Sequence, residues 1–312
     1  MAGANLPAKM YSKRAPTQLR LSFEVSAEQS SQLKFIDIAR ALSVINRKFY
    51  RQGVYYYVNS VELHNDENSV VDLLVAPDNW VTKNAWNRGF RTFQAMNAQV
   101  DTPRPKYHDF KIKLLSTQTD ANTMDPDLYN SSMVHSSQAP DEWQFSRFTT
   151  MLSDGGQADE FTAHLIGTHV ETSAGPPANY ESIGLIKSYA DSRAYPDPSG
   201  EPVLPVAITT DPLNNLFDAS GDHALEDIIH NLDDMNDETP YDANAYVGEL
   251  SASLVSVARL ATVATSHRVS KASGFCVPFG LIAVRPQETS TGYSITLNLA
   301  AGTYHGVYAE RA

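Results

Sequence analysis

A strict two-residue alternation near the start of the chain sets the terms for its fold. In TQLRLSFEVS (Thr17–Ser26), Leu19, Leu21, Phe23 and Val25 alternate with polar neighbours. Successive side chains of a strand point to opposite faces, so the pattern predicts a half-buried strand and excludes a helix. The same signature returns along the chain. VYYYVNSVELHN (Val54–Asn65) and SVVDLLVAP (Ser69–Pro77) are rich in β-branched and aromatic residues and are separated by the polar turn DEN. They predict a β-hairpin. Further strands are expected at Lys106–Ser116, at Trp143–Leu152 and Asp159–Val170 across an Asp154-Gly155-Gly156 turn, and at Val203–Thr210. Phe275–Pro286, Tyr293–Ala300 and Thr303–Glu310 close the series. In Val247–Ser266, Leu250, Leu254, Val257 and Ala261 fit a helix, but the Ser, Thr and Val content favours a strand.

Helical spacing is rarer. Phe35, Ile38, Leu42 and Ile45 lie 3, 4 and 3 apart, an amphipathic helix with Ser30 or Ser31 as N-cap and Gly53 as its stop. Asn79–Ala98 repeats the pattern through Val81, Ala85, Phe90, Phe93 and Met96, capped by Asp78 or Asn79. Leu225, Ile228, Ile229 and Leu232 share a third helical face, and SIGLIKSYADSRAY suits a short helix or a strand. Thr117–Pro140 is a long polar loop, and 171–202 a second. About ten or eleven strands, two or three helices, no repeat and no regular βαβ alternation predict a mixed, mainly antiparallel β fold.

With 312 residues, 42% of them hydrophobic, the chain can bury a large core. Cys276 stands alone, which excludes an internal disulfide framework and any cysteine-based zinc cluster. No stretch approaches the roughly 20 apolar residues of a membrane span. The first twenty residues lack the apolar core of a secretion signal, so export through a signal peptide is not expected. The net charge of −12 divides unevenly, +6 over residues 1–115 and −18 over the rest. Such asymmetry points to an oppositely charged partner on one side. Lys9, Lys13, Arg14 and Arg20 precede the first acid, Glu24. They make either a solvated tail or a short polyanion-binding arm.

No phosphate loop, dinucleotide fingerprint, HExxH or GxSxG is present. The nine histidines are scattered; His164 and His169 are expected on opposite faces of a regular strand. Cys276 sits in the apolar run FCVPF, as a small buried hydrophobe does. The acids from Glu226 to Asp242 lack the spacing of a calcium loop and suit a solvated helix end. No catalytic residue, metal site or cofactor is expected. Two segments, NRKFYRQGVYYY (Asn46–Tyr57) and KNAWNRGFRTF (Lys83–Phe93), combine positive charge with rings. Basic groups neutralise phosphates and rings stack on unpaired bases, the surface a single strand needs. The plainer alternative is an amphipathic element with a basic outer and an aromatic inner face.

INRKFYRQG, then YYYVNSVEL, then APDNWVTKNAWNRGFRTFQAMN, with the ending AGTYHGVYAE, resembles capsid proteins of small circular single-stranded DNA viruses. The resemblance covers the first third and the last few dozen residues; Thr117–Gly274 matches only in general character. It implies a self-assembling, non-enzymatic virion subunit on a viral jelly-roll-type antiparallel β-sandwich with inserted helices and long loops. A double jelly roll needs about sixteen strands and is disfavoured. The resemblance also implies a weakly basic flexible arm, 1–16, and a capsid domain, 17–312. The partners are copies of itself and viral single-stranded DNA, with no host receptor indicated. Candidate genome-facing charges are Lys9, Lys13, Arg14, Arg20, Arg47, Lys48, Arg51, Lys83, Arg88 and Arg91. Such proteins often carry a dense basic arm, and this chain departs from that with four basic residues. Another virion component, of attachment or tail type, and a carboxylate hydrolase on a β scaffold are the alternatives.

Overall fold

The computed structural model describes residues 17–98, 109–127, 143–150, 159–171, 180–193, 246–250, 253–289 and 291–311. The chain divides into two units, 1–189 with 247–312, and 190–246. Of the second, only 190–193 and 246 are described.

Four strands lead: β1 (Arg20–Val25), β2 (Lys34–Asp37), β3 (Val54–His64) and β4 (Ser69–Val75), with helix α1 (Ile38–Asn46) between β2 and β3. Helix α2 (Trp80–Ala98) is followed by β5 (Lys113–Leu115), β6 (Arg147–Thr150), β7 (Asp159–Ile166), β8 (Val170–Glu171), β9 (Tyr180–Gly184) and helix α3 (Leu185–Asp191). The chain then forms β10 (Val255–Thr262), β11 (Val269–Val277), β12 (Leu281–Thr289), β13 (Tyr293–Leu299), β14 (Ala301–Tyr304) and β15 (Ala309–Arg311).

The fold is mainly β, with antiparallel sheets that make a sandwich. One sheet runs β1-β13-β3-β11, with β15 also on β3; the other runs β10-β4-β12-β2. Their inner faces supply one core. Leu21, Phe23, Val61, Leu63, Ile295 and Leu297 come from the first sheet, and Val71, Leu73, Leu260, Ile282 and Val284 from the second. The alternation in β1 is realised as read: Leu21, Phe23 and Val25 are buried and Arg20 and Glu24 exposed.

The expected hairpin between Val54–Asn65 and Ser69–Pro77 does not form. Its strands, β3 and β4, lie in different sheets. The polar turn is instead a corner, held where Asn65 donates its backbone N–H to the Arg268 carbonyl and its Oδ1 accepts the Glu67 N–H. A corner lets the apolar faces of both strands meet across the core, whereas a hairpin stacks them side by side. The pairs that do form are nested: β1 with β13, β2 with β12, β3 with β11 and β4 with β10, all antiparallel.

Two other expectations are corrected. Lys34–Asp37, read as the first turn of a helix, is a strand paired with Leu281–Val284. The helix begins at Ile38, capped by Asp37, whose carboxylate accepts the Arg40 N–H, and it stops at Arg47 in the left-handed conformation rather than at Gly53. Phe275–Pro286, read as one strand, is broken at Pro278–Gly280, where Phe279 has φ 58° and the chain changes sheet.

A third sheet, β5-β7-β9-β8 with β6 on β7, is mixed: β5 and β9 run parallel to β7, and β6 antiparallel to it. The expected loop 171–202 therefore holds a strand and a helix, β9 and α3. Of Lys106–Ser116, residues 109–116 are described: Phe110, Ile112 and Leu114 are buried as the alternation predicts, and among the described residues the strand is limited to Lys113–Leu115. Ahead of it, side chains satisfy the backbone: Ser146 Oγ accepts the Lys111 N–H and Gln52 Oε1 the Ile112 N–H. The expected strand Val203–Thr210 and the helix around Leu225–Leu232 lie outside the described residues.

The topology gives the sandwich two unlike ends. Connections β1–β2, β3–β4, β10–β11 and β12–β13 are short and lie at one end. At the other lie α1, the break at Pro278–Gly280 and the start of helix α2.

Candidate nucleic-acid interface

Three of the ten candidate charges, Lys9, Lys13 and Arg14, lie outside the described residues. Arg20 opens β1 at the long-connection end of the sandwich and is exposed. The chain ahead of it is anchored there: Asn46, last residue of α1, accepts the Gln18 N–H at 2.7 Å and donates to the Gln18 carbonyl at 3.2 Å. Thr17 Oγ1 donates to the His305 carbonyl. The structure thus brings the start of the described chain against the end of α1, next to Arg47, Lys48 and Arg51.

Arg47 is exposed, its left-handed backbone (φ 50°, ψ 36°) ending the helix, and Lys48 is half-buried. Arg51 is fixed by its backbone, which donates to the Tyr304 hydroxyl (3.1 Å) and accepts from the Tyr56 hydroxyl (2.7 Å). Its guanidinium pairs with Asp109 at 2.9 Å. With Gln52, Gly53, Trp86, Asn87, Phe90 and Arg311 they line a cleft of about 110 Å³. Arg311 was not foreseen; a lone arginine one residue from the end carries no local signal.

Helix α2 carries the rest. Asn79 caps it, its Oδ1 accepting the Thr82 N–H at 2.8 Å. Lys83 lies 3.1 Å from Asp78 and 5.1 Å over the Tyr55 ring, so its charge is already matched. Arg88 donates to the Ser188 carbonyl at 2.5 Å. Arg91 is exposed and makes no ion pair among the described residues. Three residues apart, Arg88 and Arg91 share a helical face.

Most of the rings in the two segments are packed inward, with Phe49, Tyr57 and Phe90 half-buried. Tyr50, Tyr55, Tyr56 and Phe93 are buried, and Trp86 is 8% exposed. Trp86 is stacked between Phe90 (5.1 Å, 15°) and Phe279 (5.7 Å, 25°). Phe93, Phe110, Phe148 and Phe161 continue the cluster and tie α2 to the third sheet. The segment Lys83–Phe93 is therefore the plainer alternative, a basic face over an aromatic one. Trp80, 39% exposed, is the ring left nearest to solvent on this helix.

Two lysines outside the candidate set also combine charge with rings. Lys111 lies 4.3 Å over Trp143, and Lys113 5.6 Å over Phe145. Burial pulls both ammonium groups below the ordinary lysine range, so they are part of the packing.

His164 and His169 do not face apart. The strand ends at Ile166 and Gly167 (φ 118°) turns the chain, so both rings engage β9: His164 Nδ1 bonds Ser182 Oγ (2.8 Å), and His169 Nδ1 accepts the Gly184 N–H (3.1 Å). Burial pushes the Cys276 thiol up, away from a reactive thiolate. The histidines His223 and His230 and the acids Glu226–Asp242 lie outside the described residues. Among the described residues no three His, Cys, Asp or Glu side chains form a metal-holding group. No described helix is long and apolar enough to cross a membrane.

No family model, no curated protein and no solved structure matches the chain.

Proposed function

We propose that this chain is a coat subunit, a non-enzymatic jelly-roll protein that assembles with copies of itself into an icosahedral shell around single-stranded DNA. The nested pairing carries the reading. Four antiparallel pairs, β1–β13, β2–β12, β3–β11 and β4–β10, are what one long two-stranded ribbon makes when it is wound into a double-sheet jelly roll. Lectin domains and cupins use the same architecture, so the fold alone does not select a coat protein. The resemblance of Ile45–Gly53, Tyr55–Leu63, Ala76–Asn97 and Ala301–Glu310 to single-stranded DNA virus capsids favours it. The basic end of the sandwich supports the nucleic-acid half: Arg20, Arg47, Lys48 and Arg51 gather where the chain 1–16 enters, and Arg88 and Arg91 add charge on α2. In this reading 1–16 is the arm, 17–312 the shell-forming domain, and the mature location the virion.

Sizing and negative-stain microscopy of the expressed full chain test the assembly. Closed particles containing nucleic acid are expected. A monomer or a small closed oligomer as the largest species refutes it. Replacing Lys9, Lys13, Arg14 and Arg20 with Ala should lower packaged DNA. It should also flatten the salt dependence of single-strand binding by about 0.7 in log–log slope per lost contact. Full packaging with an unchanged slope refutes the arm's role.

A further inference from the structure

The two lateral sides of the sandwich are finished differently. On one, β1 ends the first sheet and β2 the second. The chain's own segment 123–127 closes both: Met124 donates its N–H to the Phe35 carbonyl at 2.7 Å, and Asp127 to the Ser22 carbonyl at 2.6 Å. On the other side, β11 and β10 end the same two sheets. Near their connecting turn these edges bond to each other, the Ala261 N–H to Ser270 Oγ and the Val263 N–H to the His267 carbonyl. Away from the turn, among the described residues, β10 and β11 have a sheet neighbour on one side only.

An open edge presents unpaired N–H and C=O groups, and proteins ordinarily blunt it with shortness, proline or a cover. Here the edge strands are long, with 8 residues in β10 and 9 in β11. Of the seven large apolar residues exposed among the described residues, Val255, Val263 and Val269 lie on or beside these two strands. Ser273 and Gly274 leave the backbone of β11 exposed between larger side chains.

Charge separates the two sides further, because ion pairs on each are stacked with one sign toward solvent. On the open side Asp72 is 2% exposed and its partner Arg259 66%, and Lys271 likewise stands further out than Glu62, 3.0 Å away. On the closed side the order is reversed: Arg40 is 6% exposed, and its partners Asp120 and Asp125 are 47% and 42%. Lys34 at that edge is buried and bonded to Gln29. Asp127, Glu24 and Glu28 are exposed there, against one exposed cation on β1, Arg20. The open side thus shows cationic heads, and the closed side carboxylates. We propose that the β10/β11 side of one copy docks on the β1/β2 side of the next, over segment 123–127. Such a head-to-tail contact is heterologous and repeats until the rotation closes a ring. The valines and the open edge supply the contact, while exposed ion pairs add little affinity and select orientation. This docking rests on the coat-subunit reading, in that copies must associate, and adds which surfaces meet.

Carbodiimide cross-linking of the assembled full chain tests this, since it joins a lysine only to a carboxylate in contact. Isotope-labelled and unlabelled copies are mixed, so that mass spectrometry tells links between copies from links within one. Lys271 should be joined to Asp120, Asp125, Asp127, Glu24 or Glu28 of another copy. Val255→Lys together with Val269→Lys places two charges in the contact. In sedimentation velocity that variant should associate at least tenfold more weakly, with the melting of the separated subunit unchanged because both side chains already face solvent. Links between copies that never join Lys271 to these carboxylates overturn the inference, as does association unchanged in the double variant. Shells held by other links refute this contact and keep the coat reading. A ring linked as expected that never closes into a shell does the reverse, and a chain that stays monomeric refutes both.

Discussion

Gly53 joins helix α2 to the sandwich, and replacing it with alanine tests how. Its φ is +79°, and a Cβ there would meet Trp86 at 2.1 Å from Cζ2 and 2.4 Å from Cη2. Carbon atoms in contact sit about 3.5–4.0 Å apart, so the ring must retreat by more than an ångström. It has little room, stacked between Phe90 and Phe279. Placing a Cβ in the left-handed region costs about 1–2 kcal/mol, and overpacking a tight site about 1–3 kcal/mol more. Gly53→Ala should therefore cost about 2–5 kcal/mol. Urea unfolding followed by circular dichroism reads this as a lower midpoint at unchanged slope. The two contributions separate in a Trp86→Phe background, which removes the benzo-ring atoms that collide. There the penalty should fall to the backbone part, leaving a coupling of about 1–3 kcal/mol. A loss under about 1 kcal/mol, or one equal in both backgrounds, would refute the argument.

Two further perturbations concern buried titratable groups. Burial lowers His164 from the ordinary 6.5 to about 4, so the unfolded chain binds the extra proton between those values. Its contribution, about 3 kcal/mol, is complete above pH 6.5 and lost as pH falls toward 4; His164→Gln should flatten acid unfolding over that window, and an unchanged profile argues against it. Asp72 is gripped by Arg259 (2.7 and 3.0 Å) and Gln287 (3.1 Å), and Arg259 holds its carboxyl below the usual range. Asp72→Asn should cost about 1–3 kcal/mol at pH 7. The difference from the parent chain should shrink as acid protonates Asp72 below its ordinary 3.8; a constant difference down to pH 2 contradicts the pairing.

Local pattern made β1, β3, β4 and α2 legible, because alternation and 3.6-residue spacing are carried by the residues themselves. Pairing was not, because a polar turn such as Asp66–Asn68 serves a hairpin or a corner equally. Lys34–Asp37 was misread because Phe35 belongs to a helical spacing, while the free edge of β12 offers backbone bonds that outweigh it. The charges at Arg47, Lys48 and Arg51 were visible as a run, but not that Asp109 already neutralises one of them. The cross-strand row of Glu24, Ser294, His64 and Val269 had no sequence trace: its members come from four strands and meet only through register.

The nested pairing also sets an order in time. β1 waits for β13, about 270 residues later, and even the innermost pair, β4 with β10, is separated by the whole inserted segment. Contacts so distant along the chain are slow to form. During synthesis none of the first four strands meets its nested partner before β10 (Val255–Thr262) has emerged, and β1 is the last of them to be paired. A partly made chain thus exposes the apolar faces of β1 to β4 with no sandwich to cover them, and the core closes only once the later strands are present.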